Sequence, residues 1–383
     1  DASVAVAWTD AGAVVTVDVP SAITEFHLFT STAVPGAEPI ESRPASLTGA
    51  PLGFGARGLL HWSSLTPRTI EVLEVPPFGL DDPARVGTIT ASRSGSSVRF
   101  VLPTPGDVEP GSPLLLRIEP SSIGSFPLPL LPAGGPAEIM AGVITLIDVT
   151  DPVGDDAGPG RWIYPQDRIF TPGSFDLTRF RAGVAGDELV LQVGIAADIG
   201  DPFDAPSGVS LQVFDIAIDV DPASGTGHRT FPEGRNVALA AENGFEALIT
   251  VDRDGARLTT VAADGDLRPS DVPVTLRVDP RLGTVTVRVP IAEVGGTDPG
   301  DWGFAATVAS SDPGEPTGIR RVGPRARQWV GGGAAPDASH PMVYDLLWPQ
   351  AFVQETGLAD YRPAESTGNL GPDDFGSVPL VTR

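Results

Sequence analysis

Forty-five glycines and forty prolines interrupt this 383-residue chain, and their scatter constrains its fold more than any other feature. Proline fixes φ and has no amide hydrogen to donate, while glycine loses conformational entropy inside regular elements, so a chain cut this often cannot sustain long helices. Between the breaks lie short apolar or β-branched runs, which suit strands joined by tight turns. The expectation is an all-β protein.

Single hydrophobic cores usually stop growing near ~250 residues, so a chain of 383 predicts two domains. The first set of runs falls at 4–8, 13–19, 25–29, 69–75, 86–91, 97–102 and 114–118, and predicts an immunoglobulin-like or related β-sandwich over 1–120. Within it, 31–68 is a Pro/Gly/Ser-rich connection with room for short strands only. Residues 121–141 are dense in proline and read as a linker that packs along a surface. The second set falls at 143–149, 188–195, 210–219, 247–251, 258–262, 274–278, 284–290, 302–310 and 342–347, within a second sandwich over 142–362. Helix-like patterning is confined to 175–180 and 290–294. Phe214-Asp-Ile-Ala-Ile-Asp219 is apolar on both faces, as a central strand requires. The polar, Gly-rich tail 363–383 reads as a tether or as an arm onto another subunit.

The chain has no cysteine, which excludes disulfides, thiolate metal sites and thiol chemistry. It also has no lysine: all 25 basic residues are arginine, set against 49 acids for a net charge of -24. Such a chain repels phosphate backbones, and no basic patch with interleaved aromatics offsets this, so nucleic acid is excluded as a partner. No apolar run reaches the length of about 18 residues needed for a transmembrane span. The opening Asp1-Ala-Ser-Val, without Met, predicts a mature exported protein whose signal peptide has been removed.

Several separated motifs agree with one family. They are Asp151-Pro-Val-Gly-Asp-Asp-Ala-Gly-Pro-Gly-Arg-Trp-Ile-Tyr-Pro165, Asp201-Pro-Phe203, the run Gly208 to Asp221, Gly234-Arg-Asn236, Arg320-Arg-Val322 with Trp329-Val-Gly-Gly332, and Val343-Tyr-Asp-Leu-Leu-Trp-Pro349 with Gln354 and Leu358. In order and spacing, residues 143–362 resemble the C-terminal binding module of glucodextranases and amylopullulanases, a β-sandwich of the DOMON-like or family-9 carbohydrate-binding kind. The resemblance implies attachment to a cell surface. In those enzymes the chemistry resides in a separate helical barrel, which this chain lacks.

Read residue by residue, the sharpest candidate is a Ca²⁺ site built from Asp151, Asp155 and Asp156 and completed by Asp219 and Asp221. Ca²⁺ takes six to eight oxygens from carboxylates and carbonyls, and a Gly/Asp loop supplies both; the same aspartates also serve as turn caps in such loops. Glycan binding needs exposed aromatic faces, and Trp162, Tyr164, Trp302, Trp329 and Trp348 are the rings available. Trp162 and Tyr164, in a Pro/Gly-rich loop, are the expected platforms, and Trp302, inside a strand pattern, is expected in the core. Haem would have to use His27, His61, His228, His340, Met140 or Met342, with His228 and either Met342 or His340 as the remaining pairing. No nucleophile elbow, triad or phosphate loop appears. The reading is a noncatalytic extracellular protein that binds surface polysaccharide or builds an envelope or surface assembly with other protein subunits. The alternative is an accessory subunit of an extracellular glycan-degrading or haem-dependent electron-transfer complex.

Overall fold

A computed structural model describes residues 3–32, 43–46, 51–74, 84–102, 108–121, 130–132, 136–296, 298–350 and 353–383. The chain divides into two compact units, 1–145 and 146–383. Both are built of strands.

The first unit contains β1 (Ser3–Thr9), β2 (Gly12–Asp18), β3 (Glu25–Thr30), β4 (Arg43–Ala45), β5 (Pro51–Ala56), β6 (Gly58–Ser63), β7 (Thr69–Glu74), β8 (Ala84–Ser94), β9 (Ser97–Leu102), β10 (Pro113–Ser121) and β11 (Ala137–Met140). Nine of these form one sheet in the order β1-β2-β9-β8-β7-β6-β3-β10-β11, and β4 pairs with β5. The long strand β8 makes the corner: its first part pairs with β7 and its last four residues, Ala91 to Ser94, pair with β9. The sheet therefore doubles over, and the two halves enclose one core of Val15, Val17, Leu28, Trp62, Phe100 and Leu116. β11 lies inside the stretch expected to be a linker. It pairs with β10 through Pro113↔Met140, and Leu131 bridges to Ile118, so these residues belong to the sheet of the first unit. The rest of the expected linker, 122–129 and 133–135, lies outside the described residues.

The second unit contains β12 (Ile144–Thr150), β13 (Leu177–Ala185), β14 (Glu188–Ile195), β15 (Gln212–Asp219), β16 (Val237–Leu239), β17 (Ala247–Asp252), β18 (Gly255–Val261), β19 (Leu267–Pro269), β20 (Thr275–Asp279), β21 (Thr284–Pro290), β22 (Gly303–Ser310), β23 (Val343–Leu346) and β24 (Gly376–Val378), with short helices α1 (Ile291–Val294) and α2 (Gln354–Ala359). One sheet runs β12-β13-β14-β21-β20 and the other β19-β18-β17-β15-β22-β23. Phe180, Leu191 and Val287 from the first sheet meet Phe214, Ile216, Ile249 and Phe304 from the second in a continuous core. Strand period two puts Val213 and Ala217 on the opposite face of β15, where a second core of Phe231, Val237, Leu239, Phe245, Leu358 and Val378 covers them. This outer layer explains why β15 and β22 are buried at every residue.

Two local expectations give way. Residues 175–180 run into strand β13, because the apolar positions Leu177, Phe180 and Ala182 face the main core from an extended chain. The tail 363–383 is partly folded: β24 pairs in parallel with β16, and Val381 bridges to Phe304. The apolar Val378 is drawn into the outer core, which a polar tether would not be. Among the described residues no helix is long and apolar enough to cross a membrane.

Candidate metal centre

At the exit of β12 the loop 151–165 folds back against the end of β23. Its glycines make that possible: Gly158 has φ +53, and a Cβ there would lie 2.7 Å from the indole of Trp162. Asp151 Oδ1 accepts the N–H of Trp348 at 2.6 Å, tying the first strand of the unit to the end of the last strand of its six-stranded sheet. Asp345 Oδ2 accepts the N–H of Leu177 at 2.7 Å and its Oδ1 that of Leu346 at 2.8 Å. Gln354 of α2 accepts the same Leu346 N–H at 3.1 Å and donates to the carbonyl of Asp155 at 2.5 Å. The loop is thereby pinned from two sides.

Ligand oxygens of Asp151, Asp155 and Asp345 lie within 4.8 Å of one another. Asp151 is 6% exposed and Asp345 fully buried. Asp176 borders the group and accepts the N–H of Gly154 at 2.9 Å. Asp151 Oδ2, Asp155 Oδ1 and Asp176 Oδ1 are buried with no hydrogen-bond partner. Burial raises the affinity of these carboxyls for protons, and the neighbouring carboxylates raise it further. Asp151 is pushed up to about 8, against the N–H bond from Trp348 that favours its ionised form. Burial and the charge of Asp156 push Asp176 up to about 7, and burial with Asp156 and Glu355 pushes Asp155 to about 6. Asp345 is raised well above the carboxylate range by its burial and by Asp151 and Asp155.

Clustered buried carboxylates with orphaned oxygens need either protons or a cation. The donor set is all oxygen, which suits a hard divalent ion such as Ca²⁺ and offers nothing to a soft metal. The residues present fit such an ion.

The sequence grouping is redrawn in three places. Asp156 falls outside the group: its carboxylate accepts a hydrogen bond from the Tyr164 hydroxyl, whose oxygen in turn accepts the N–H of Phe175. Asp219 and Asp221 belong to a second group, with Glu246. There Asp219 Oδ1 accepts the N–H of Asp221 at 3.0 Å while its Oδ2 is buried with no partner, and Asp221 is exposed, so this second group is more open to solvent than the first. Asp345 enters the first centre unforeseen, and Asp176 borders it. The readable signal was a lone acid inside the apolar run Val343-Tyr-Asp-Leu-Leu, a position no carboxylate occupies without a partner.

The expected aromatic platforms are not platforms. Trp162 is 8% exposed and meets Tyr344 edge-on at 5.1 Å between centroids. Tyr164 packs edge-on against Phe175 at 5.0 Å and Tyr344 at 5.3 Å. Trp302 is core, as its strand pattern requires. Among the described residues, the large aromatic rings most open to solvent are Phe203 and Trp329, at 48% and 40%. For haem, His228 Nδ1 contacts the carbonyl of Gly265 and His340 Nδ1 that of Asp337, so each has one ring nitrogen engaged elsewhere.

An all-β module with an inward-facing acidic centre is the class that this architecture defines. The chain belongs to the family of the C-terminal binding module, SLH-like, of glucodextranase, which matches residues 146–370. The match runs past residue 362 into the stretch read as a tail. No curated protein matches the chain. Among solved structures, a biofilm-associated protein, BSP domain, is 9% identical with a TM-score of 0.18, over 87% of this chain and 57% of that one.

Proposed function

We propose that this is a noncatalytic extracellular protein whose second unit binds polysaccharide at the cell surface or envelope, with Ca²⁺ held by Asp151, Asp155 and Asp345. Membership in a binding-module family supports the role, and the observation that carries the cation is the set of orphaned carboxylate oxygens between the start of the module and its last strands. The ion would neutralise charge that burial penalises, and so lock the 151–165 loop onto β23. The same burial argues against glycoside hydrolysis. Acid and base must reach the scissile bond of a polymer, and Asp151 and Asp345 are closed off from one.

The test is native affinity electrophoresis through gels containing a panel of soluble polysaccharides, with Ca²⁺ and with EDTA, alongside a reducing-sugar assay. Retention by at least one polymer without release of sugar is expected. Turnover by homogeneous protein, or no retention on any polymer, would overturn the reading.

A further inference from the structure

Burial of Trp162 and Tyr164 leaves the question of where a glycan would lie. Trp329 stands at the tip of a two-residue turn closed by Arg327 N–H to Val330 O at 2.8 Å. Its ring is backed by Phe170 at 6.0 Å and by the guanidinium of Arg320 at 5.9 Å, both of them buried. Arg320 is itself fixed by Asp312 at 2.8 Å and by the carbonyl of Trp329 at 2.9 Å. Phe203 stands beside it, 6.3 Å between centroids and tilted by 47°. Trp329, braced in this way and 40% exposed, with Phe203 at its side and 48% exposed, offers a ligand an apolar surface.

The rim carries the second observation, which is charge. The whole chain has net charge -24, yet four arginines fall between positions 320 and 327. Arg320 and Arg321 are paired, with Asp312 and Glu315. Arg325 and Arg327 are exposed and form no ion pair among the described residues. Arg168 joins them from the neighbouring segment, where Gln166 N–H bonds Arg327 O at 2.9 Å and Asp167 N–H bonds Gln328 O at 3.1 Å. These segments also bear Asp167, Asp201 and Asp204; the Asp167 carboxylate accepts from Gln328 at 3.0 Å and from the N–H of Ile169 at 3.2 Å, and Asp201 accepts the N–H of Ala205 at 2.9 Å.

Resting on the glycan reading, we propose that Phe203 and Trp329 form a stacking ledge for an acidic polysaccharide, whose sugar rings lie on the aromatic faces while Arg327 and Arg325 meet its carboxylates. An arginine fork matches a carboxylate bidentately, and an overall acidic chain holds a polyanion only where arginine is concentrated.

The experiment is affinity electrophoresis of the full chain in Ca²⁺ through gels containing hyaluronan, a soluble uronate polymer, or neutral dextran. Hyaluronan should retain the wild type, more weakly as salt rises. Trp329→Ala should lower that affinity about tenfold, with Phe203→Ala and Arg327→Gln following in the same direction, all at melting temperatures that show the fold intact. Phe203→Ala and Arg327→Gln keep the test valid should Trp329→Ala fail to fold. Equal retention of these variants overturns the ledge and leaves the glycan reading standing. Retention by dextran alone overturns the acidic ligand. No retention of the wild type by either polymer, or by the wider panel, overturns both.

Discussion

Arg235 grips Asp215 with two guanidinium nitrogens, Nε to Oδ2 at 2.7 Å and Nη2 to Oδ1 at 3.3 Å, and both side chains are buried. Thr250 donates to the same carboxylate at 2.6 Å. Asp215 shares the outer face of β15 with Val213 and Ala217, so without this fork a bare charge would sit in the outer core. The Gly234-Arg-Asn236 motif thus acts by neutralising an acid on the central strand.

Removing one partner of such a pair leaves the other charged and dry. Arg235→Leu is expected to destabilise the second unit by about 3–5 kcal/mol, read as a lowered denaturation midpoint in urea. A change within ±0.5 kcal/mol, as is usual for a surface site, would show the pair to be unimportant.

A ligand of the folded state raises stability by mass action, by about 4 kcal/mol at a thousandfold excess over its Kd. EDTA should therefore lower the melting temperature of the second unit and Ca²⁺ restore it. Asp345→Asn removes one ligand and should abolish that response, while Asp221→Asn, in the other acidic group, should leave it in place.

Chelated protein should respond to pH in a definite direction. The folded-state values of Asp155, Asp176 and Asp151 are pushed up to about 6, 7 and 8, whereas unfolded carboxylates titrate near ~4. The folded state binds more protons at these three groups across that window, so their contribution to stability is full below about pH 4 and is lost as pH rises toward 8. In EDTA the melting temperature should fall between pH 5 and pH 8, and saturating Ca²⁺ should remove that fall by taking the place of the protons. Parallel curves with and without the ion would contradict the assignment.

Trp162 is packed against Tyr344, so Trp162→Ala should act on stability, by about 3–5 kcal/mol, and not on glycan affinity per folded molecule. Gly158→Ala should destabilise as well, since its added methyl meets the same indole.

A chain of residues 146–383 should unfold cooperatively on its own, because its core is assembled within that unit. Ending it at 362 instead removes β24, strips β16 of its parallel partner and uncovers Val237 and Leu239. Aggregation or loss of a sharp transition in the shorter chain is the expected result.

The strand ladder was readable because glycine, proline and aspartate mark its turns, and β15 announced its central place by being apolar on both faces. β6 was hidden: Gly58 to Ser63 sits within the Pro/Gly/Ser-rich connection 31–68, where composition masks the short apolar run Leu59, Leu60 and Trp62. The aspartates of the 151–156 loop were visible as a cluster, but which of them faces inward depends on Asp345, Tyr164 and Gln354, whose approach is tertiary. Trp162 misled for a related reason. A glycine-rich loop looks exposed in sequence, yet here the missing side chains are what leave room for an indole to turn inward.

Asp151 meets the backbone of Trp348 across 197 positions of sequence. A nascent chain emerging from synthesis possesses the first carboxylate of the centre long before it possesses Asp345, and in the interval the early loop lacks its contacts with Tyr344, Trp348 and Gln354. On the proposed Ca²⁺ reading, affinity for the ion arises late and all at once, when the last strand of the six-stranded sheet is laid down. On the same reading, any proteolytic nick that releases either end abolishes that affinity, and Ca²⁺ binding becomes a report that the module is whole.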